Sequence, residues 1–393
     1  MPSDRRPPAM LRSLSIRNLR GYDAVELALS GGPQLIWGPN AAGKTTLLEA
    51  VAVLSLGRSH RTTTDAELIR WGADFLRVEG VLARFEDAPV APGQGTTLAV
   101  SLGGPGAGSA GRKKITVNGV PRRPSALSEQ LRTVMFAPEE MLLVVGAPGL
   151  RRAALDDLAQ PTDPSYAANV STYTRALQQR NSLLRAIREG EADRDQLRLW
   201  DEPFLAAGAA IVEARLRALE RLSEPLARAH AEIAPLEERL CVTYASNAAP
   251  ATGEGPREAL ARRLRDTAEK EVWNGSTLVG PHRDDLVFRF GDRDLSTFAS
   301  RGQQRTAILA FKLAEMDLLT SIDGQPPLLL LDDVFSELDP DRRAHLVRRI
   351  SELPQAMITA TDPTEVDADL RRRSHSWRVT AAAGTARVEE LAP

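Results

Sequence analysis

Cysteine is almost missing from this chain: Cys241 is the only one in 393 residues. An internal disulfide is therefore excluded. In the apolar setting of Leu240, Val242 and Tyr244, Cys241 reads as a buried thiol of a reducing cytosol. Long apolar runs are also lacking, and none approaches the roughly 18–20 residues a bilayer-spanning helix needs. Residues 1–9 carry two arginines, but no apolar stretch follows them as in a secretory signal. They are expected to form a disordered leader, with Met10 standing as an alternative start. A cytoplasmic location without a membrane partner is the expectation. Net charge is nearly absent: 50 basic against 52 acidic residues give −2. That balance excludes coating of nucleic acid by bulk attraction but leaves room for a local basic patch. His60, His230, His282, His345 and His375 are scattered, and no Cys/His spacing suggests a zinc site.

What is present is a globular composition, 42% hydrophobic and 26% charged. The length exceeds one ordinary core, so two domains or one domain with a large insertion is expected. Residues 10–37 and 75–120 alternate in short apolar and polar runs and predict strands. The Pro/Gly/Ala-rich stretches 88–95 and 103–111 read as loop tips, and Asn118-Gly119 as a turn. From Ser165 to Leu240 the apolar spacing becomes helical, with breaks expected near Gly190 and Pro203. Residues 246–257 read as a linker loop.

One stretch carries chemistry directly. Gly38-Pro39-Asn40-Ala41-Ala42-Gly43-Lys44-Thr45 fits the phosphate-loop pattern of Gly, four residues, then Gly-Lys-Thr, and Thr46 follows. The apolar run Leu35-Ile36-Trp37 precedes it and a helical pattern follows, which is the strand–loop–helix setting the motif needs. Glycines let backbone N–H groups turn inward around phosphates, and the helix N-terminus favours the anion. Lys44 is expected to reach the β- and γ-phosphates of ATP, and the Thr45 hydroxyl to ligate Mg²⁺.

A second set lies far along the chain. Leu328-Leu329-Leu330-Leu331-Asp332-Asp333 reads as a central parallel strand ending in two carboxylates. Asp332 is the expected Mg²⁺ partner, and Asp333 the group that orients or deprotonates the attacking water. Ser300-Arg301-Gly302-Gln303-Gln304 opens a helix, which offers another anion-binding N-terminus or merely a cap. Ser336-Glu337-Leu338-Asp339 follows the aspartates.

In this order, these four elements resemble an ABC-type ATPase of the SMC class. Residues 280–286 (Gly-Pro-His-Arg-Asp-Asp-Leu), Ser300-Arg301-Gly302-Gln303-Gln304-Arg305-Thr306, residues 332–339, and Pro148-Gly149-Leu150-Arg151-Arg152 with Asp156 narrow the resemblance to the RecF family of bacterial recombination mediators. It covers roughly residues 10–365. The resemblance implies an α/β ATPase head, a phosphate-loop sheet with helices plus an antiparallel β subdomain, and an inserted helical lobe. On this reading residues 10–150 and 258–393 build the head and 151–245 the helical lobe. The family further implies an ATP-dependent homodimer with Ser300, Gly302 and Gln303 acting in trans on the γ-phosphate. Ser336 and Asp339 would form the loop after the aspartates. A weak, switch-like ATPase, double-stranded DNA near gaps, RecR as partner and help in loading RecA complete the implied picture. Arg58, Arg61, Lys113 and Lys114 are candidate DNA contacts, or else ordinary solvated charges.

There are departures from the family. Ala41-Ala42 stands where relatives often carry a glycine, Thr46 where many have asparagine, and Arg20-Gly21-Tyr22 replaces Arg-Asn-Tyr. No histidine follows the last core strand, where Thr361 and Asp362 stand instead. Residues 136–140 are the candidate region for the glutamine loop. Two other readings compete. A transporter cassette would need a membrane partner, and a long-armed chromosome-organising ATPase needs far longer helices than 165–240 provide.

Overall fold

The computed structural model describes residues 9–84, 95–104, 111–382 and 384–391. Residues 1–8 of the expected leader and most of the loop tips at 88–95 and 103–111 lie outside the described residues, while Ala9 already begins a strand. The chain divides into two compact units, Met1–Glu140 with Met316–Pro393, and Met141–Glu315.

The first unit holds two six-stranded sheets. One is antiparallel, in the order Tyr22–Ala28, Ala9–Leu19, Phe75–Arg84, Thr96–Gly103, Lys113–Val117, Val120–Pro121. Its inner face is apolar because side chains alternate along each strand: Leu14, Ile16, Val78, Val100 and Ile115 are buried. The other runs Thr385–Leu391, His375–Ala382, Gly32–Trp37, Gln355–Ala360, Leu328–Asp332, Thr133–Phe136. Its neighbours pair in parallel except for the hairpin at the first edge. Leu328–Asp332 and Gln355–Ala360 are buried throughout, as central parallel strands must be.

The helix Lys44–Leu56 packs against strands of both sheets and buries eleven of its 13 residues. Its apolar side chains point all round, the pattern of a helix enclosed on every side. Each enclosed Leu or Val is worth about 1.5–3 kcal/mol. Gln355 ties the two sheets together: its Oε1 accepts from Leu11 N at 3.0 Å and its Nε2 donates to Leu11 O at 2.8 Å.

The second unit is helical around a three-stranded antiparallel sheet of Arg293–Asp294, Asp285–Phe290 and Leu240–Ala245. Its main helices are Pro148–Ala159, Tyr166–Arg188, Arg198–Ile233 and Pro256–Asn274. Three expectations are corrected here. Gly190 does end a helix, but Pro203 lies inside one of 36 residues. Proline forfeits a hydrogen bond, yet Phe204, Ala207 and Ile211 are buried beyond it and outweigh that loss. The unit also runs to Glu315 instead of ending near residue 245. Leu240–Ala245 pairs with Asp285–Phe290, and Pro256–Asn274 packs on the two long helices, so residues 256–315 stay with it. Finally, Cys241 is half-buried, with Sγ 3.7 Å from Arg289 O, because it sits on an edge strand.

Candidate nucleotide-binding site

The phosphate loop joins the buried strand Gly32–Trp37 to the buried helix Lys44–Leu56, so both its ends are fixed. Gly38 (φ 153°), Ala41 (φ 61°) and Gly43 (φ 111°) take positive φ, the conformation that turns N–H groups toward one centre. A Cβ on Gly38 would overlap the Val379 carbonyl, so glycine is required there. Behind Gly43 stands Tyr22, whose hydroxyl donates to Gly43 O at 3.1 Å. Ala41 is not a glycine. It adopts the left-handed conformation nonetheless, a strain of order 1–3 kcal/mol that the fixed loop ends hold. Lys44 Nζ donates to Gly38 O at 2.7 Å and Pro39 O at 3.0 Å. Burial lowers its pKa, while Asp333, Asp332 and Glu365 favour the charged form.

The aspartates arrive from the parallel strand Leu328–Asp332. Thr45 Oγ1 lies 3.0 and 2.8 Å from the two Asp332 oxygens. Two hard oxygen donors beside a phosphate loop are the ligand chemistry Mg²⁺ takes. Asp333 begins the turn after the strand with φ 51°, a strained conformation for a non-glycine residue. Its N–H donates to Thr359 Oγ1 at 3.0 Å, and the Thr359 hydroxyl donates to Asp332 Oδ1 at 2.6 Å. One buried threonine thus holds both carboxylate residues.

Thr359 and Glu365 are site residues that the sequence reading did not single out. Thr359 lies in the apolar strand Gln355–Ala360, and a polar side chain there needs a partner. Glu365 Oε2 accepts from Thr361 N at 3.2 Å, and Thr361 Oγ1 donates to Asn40 Oδ1 at 3.3 Å. The segment after the last core strand therefore contacts the phosphate loop through Thr361. Asp362 instead caps the turn Pro363–Glu365. In the glutamine-loop region, Phe136 ends a strand and Glu139 lies 3.8 Å from Arg61.

In the second unit, Ser300 and Gln303 form a reciprocal capping box. Ser300 N donates to Gln303 Oε1 at 3.0 Å, and Gln303 N donates to Ser300 Oγ at 3.3 Å. This fixes the start of the helix Arg301–Asp323, where a Cβ on Gly302 would meet only the Ser300 hydroxyl, at 3.9 Å. In the first unit, Ser336 Oγ donates to Asp333 O at 3.0 Å, while Asp339 caps the helix Pro340–Ser351.

The candidate DNA contacts separate. Arg61 faces Glu49 and Glu139, and Lys113 Nζ donates to Gly57 O at 2.8 Å and pairs with Asp65 at 2.7 Å. Strand alternation sends Lys113 and Lys114 to opposite faces, so they do not act as a pair. Arg58 and Lys114 are exposed.

The remaining family-marking segments meet inside the second unit. Arg151 pairs with both oxygens of Asp285 at 2.7 and 2.8 Å, and Arg152 donates to Asp284 O at 3.2 Å. Arg215 is buried against Asp156, Tyr166, Tyr244 and Pro281 O. Asp284 accepts from Tyr244 Oη and Asn247 N. Tyr173 Oη lies 2.6 Å from His282 Nδ1, and His282 Nε2 lies 3.3 Å from Thr277 O. These contacts suit a neutral imidazole, and burial holds its pKa down to about 4. Between that value and about 6.5 the unfolded chain binds more protons, so this contribution is complete above about 6.5 and lost as pH falls toward 4. Burial raises the carboxyls of Glu271 and Asp284, which act in the opposite sense. The expected result is therefore a difference: between pH 7 and 5, the urea midpoint of His282→Gln falls less than that of the parent chain.

A family model described as the RecF/RecN/SMC N terminal domain matches residues 10–371. The DNA replication and repair protein RecF of Chloroflexus aurantiacus is 38% identical over 386 residues, covering 93% of this chain and 97% of that protein. RecF of Bacillus subtilis is 37% identical, with 94% and 98% covered. A structure of the recombination mediator protein RecF with ATP, from the RecFOR pathway, aligns over 100% of both chains at 30% identity and a TM-score of 0.87. An Smc head domain from Pyrococcus furiosus shares the fold at 15% identity and a TM-score of 0.53, with 98% and 96% covered. With the phosphate loop, the paired aspartates and the capped signature helix in place, the chain belongs to the RecF family.

Proposed function

We propose that this chain is an ATP-switched DNA-binding protein of recombinational repair and replication. The observation that carries the reading is the constellation of Lys44, Thr45, Asp332 and Asp333 at the ends of two strands that flank Gln355–Ala360, where Thr45 meets Asp332 and Thr359 holds both aspartates. ATP phosphates sit in the loop 38–46, with Lys44 turning from the Gly38 and Pro39 carbonyls to the β- and γ-phosphates. Thr45 and Asp332 would hold Mg²⁺, which would supply charge neutralisation to the phosphoryl oxygens. Asp333, its backbone held by Thr359, orients or deprotonates the attacking water. A second copy supplies Ser300, Gly302 and Gln303 to the γ-phosphate, so ATP joins two heads into a homodimer that closes on double-stranded DNA. Turnover is slow, because hydrolysis serves to reopen the dimer. RecR is the partner at gaps, and RecA loading the outcome. The relatives are named for DNA replication and repair and for the RecFOR pathway, which supports this reading. ATP shifts the monomer–dimer equilibrium only by its differential affinity for the closed state.

The test is light scattering with and without ATP and Mg²⁺. Asp333→Asn is expected to bind ATP without turnover and accumulate as dimer. Adding Ser300→Arg to that variant is expected to return it to monomer, since a bulky cation displaces the capping hydroxyl. The same oligomer with and without ATP in Asp333→Asn would sink the gating model.

A further inference from the structure

The outer face of the antiparallel sheet carries cations that the nucleotide site does not use. Register aligns Arg17 with Arg77, Arg77 with Ser101, and Ser101 with Lys114. The three basic residues therefore stand in one row at right angles to the strands. At about 4.8 Å per strand the row spans roughly 14 Å. The next row adds Arg112, whose carbonyl accepts from Gly103 N at 3.2 Å, while Gly103 lies opposite Phe75. Arg17, Arg77, Arg112 and Lys114 are all exposed. Arg77 reaches Glu79, and Glu26 and Glu79 flank the row on its other side, so the face is cationic toward the Phe75 end. At that end Trp71 stands 99% exposed on the turn at 70–73.

Like charges placed directly opposite one another weaken a sheet, and Arg17 beside Arg77 is such a pair. Burial does not require it, because both face solvent. An extended polyanion laid along the row would turn this repulsion into binding. One DNA strand carries a charge per 3.4 Å of axis, so a row of roughly 14 Å reaches about four phosphates. Between the cations the row holds only the short Ser101, which leaves the path open. Among the described residues one exposed turn stands beside this sheet face, an arrangement that reads backbone and not base edges.

We infer that this sheet face is a duplex DNA site, with Arg17, Arg77 and Lys114 on the phosphate backbone. The inference rests on the DNA-binding reading above and gives it an address. The test compares the full chain with the triple variant Arg17→Ala, Arg77→Ala, Lys114→Ala, using anisotropy of a short blunt duplex across a salt series with ATP and Mg²⁺. The triple Arg198→Ala, Arg217→Ala, Arg239→Ala removes equal charge from exposed arginines of the second unit. The sheet triple is expected to lose about tenfold or more in affinity, and its salt slope to fall by about 2 to 3, near 0.9 per phosphate contact. Its ATP turnover without DNA should match the parent's. If the parent binds duplex and the two triples behave alike, the sheet face is not the site. If the parent itself fails to bind duplex, the DNA reading falls with it.

Discussion

Lys44→Ala is expected to lower ATP turnover about 10²–10³-fold, the effect of deleting one charged donor aimed at a transition state. The residue already stands at the lip of the loop, with Nζ on the Gly38 and Pro39 carbonyls. Burial lowers its pKa, while Asp333, Asp332 and Glu365 favour the charged form. Lys44→Arg is expected to fail as well. A broad planar fork cannot take the place of a compact ammonium that touches two adjacent carbonyls. Stability should fall by about 1–3 kcal/mol as well, because the buried Gly38 carbonyl loses its donor. Phosphate release under saturating ATP, with a melting curve alongside, checks both parts. Turnover within threefold of the parent would remove Lys44 from its assigned place.

The phosphate loop was legible because its parts are contiguous: strand, glycine turn, lysine and helix follow within about twenty residues. Asp332 and Asp333 were legible because four leucines before them can only be a strand covered on both faces. Thr359 was not, since its partners lie 26 and 27 residues away and only the register of Leu328–Asp332 against Gln355–Ala360 brings them together. The row of Arg17, Arg77 and Lys114 was hidden for the same reason, as three separate strands contribute it. Lys113 and Lys114 show the opposite error. Neighbours in sequence looked like one patch, yet the two-residue period of a strand divides them between faces. The second unit's extent was missed because a strand's partner cannot be read locally. Leu240–Ala245 pairs with Asp285–Phe290 across the helix Pro256–Asn274.

Gly280→Ala is expected to destabilise the second unit by about 3–5 kcal/mol, a large fraction of an ordinary domain's stability. Three effects combine. Gly280 has φ 121°, a conformation that charges an L-residue roughly 1–3 kcal/mol. The added Cβ collides with the Tyr173 hydroxyl and comes within 3.1 Å of the Phe204 ring. Tyr173 cannot swing aside, because it stacks on Phe204 at 4.9 Å and is tied to His282. Moving it would break a part-buried hydrogen bond, at about 1 kcal/mol. At about 2–4 °C per kcal/mol for a unit of this size, the melting point should fall by roughly 10 °C. Tyr173→Phe separates the contributions. It removes the oxygen that the new methyl meets, so the double variant should lose less than the two single losses added together. The backbone strain remains, and the double variant should still melt below Tyr173→Phe alone. Additive losses would mean that the hydroxyl is not what makes glycine necessary at this position.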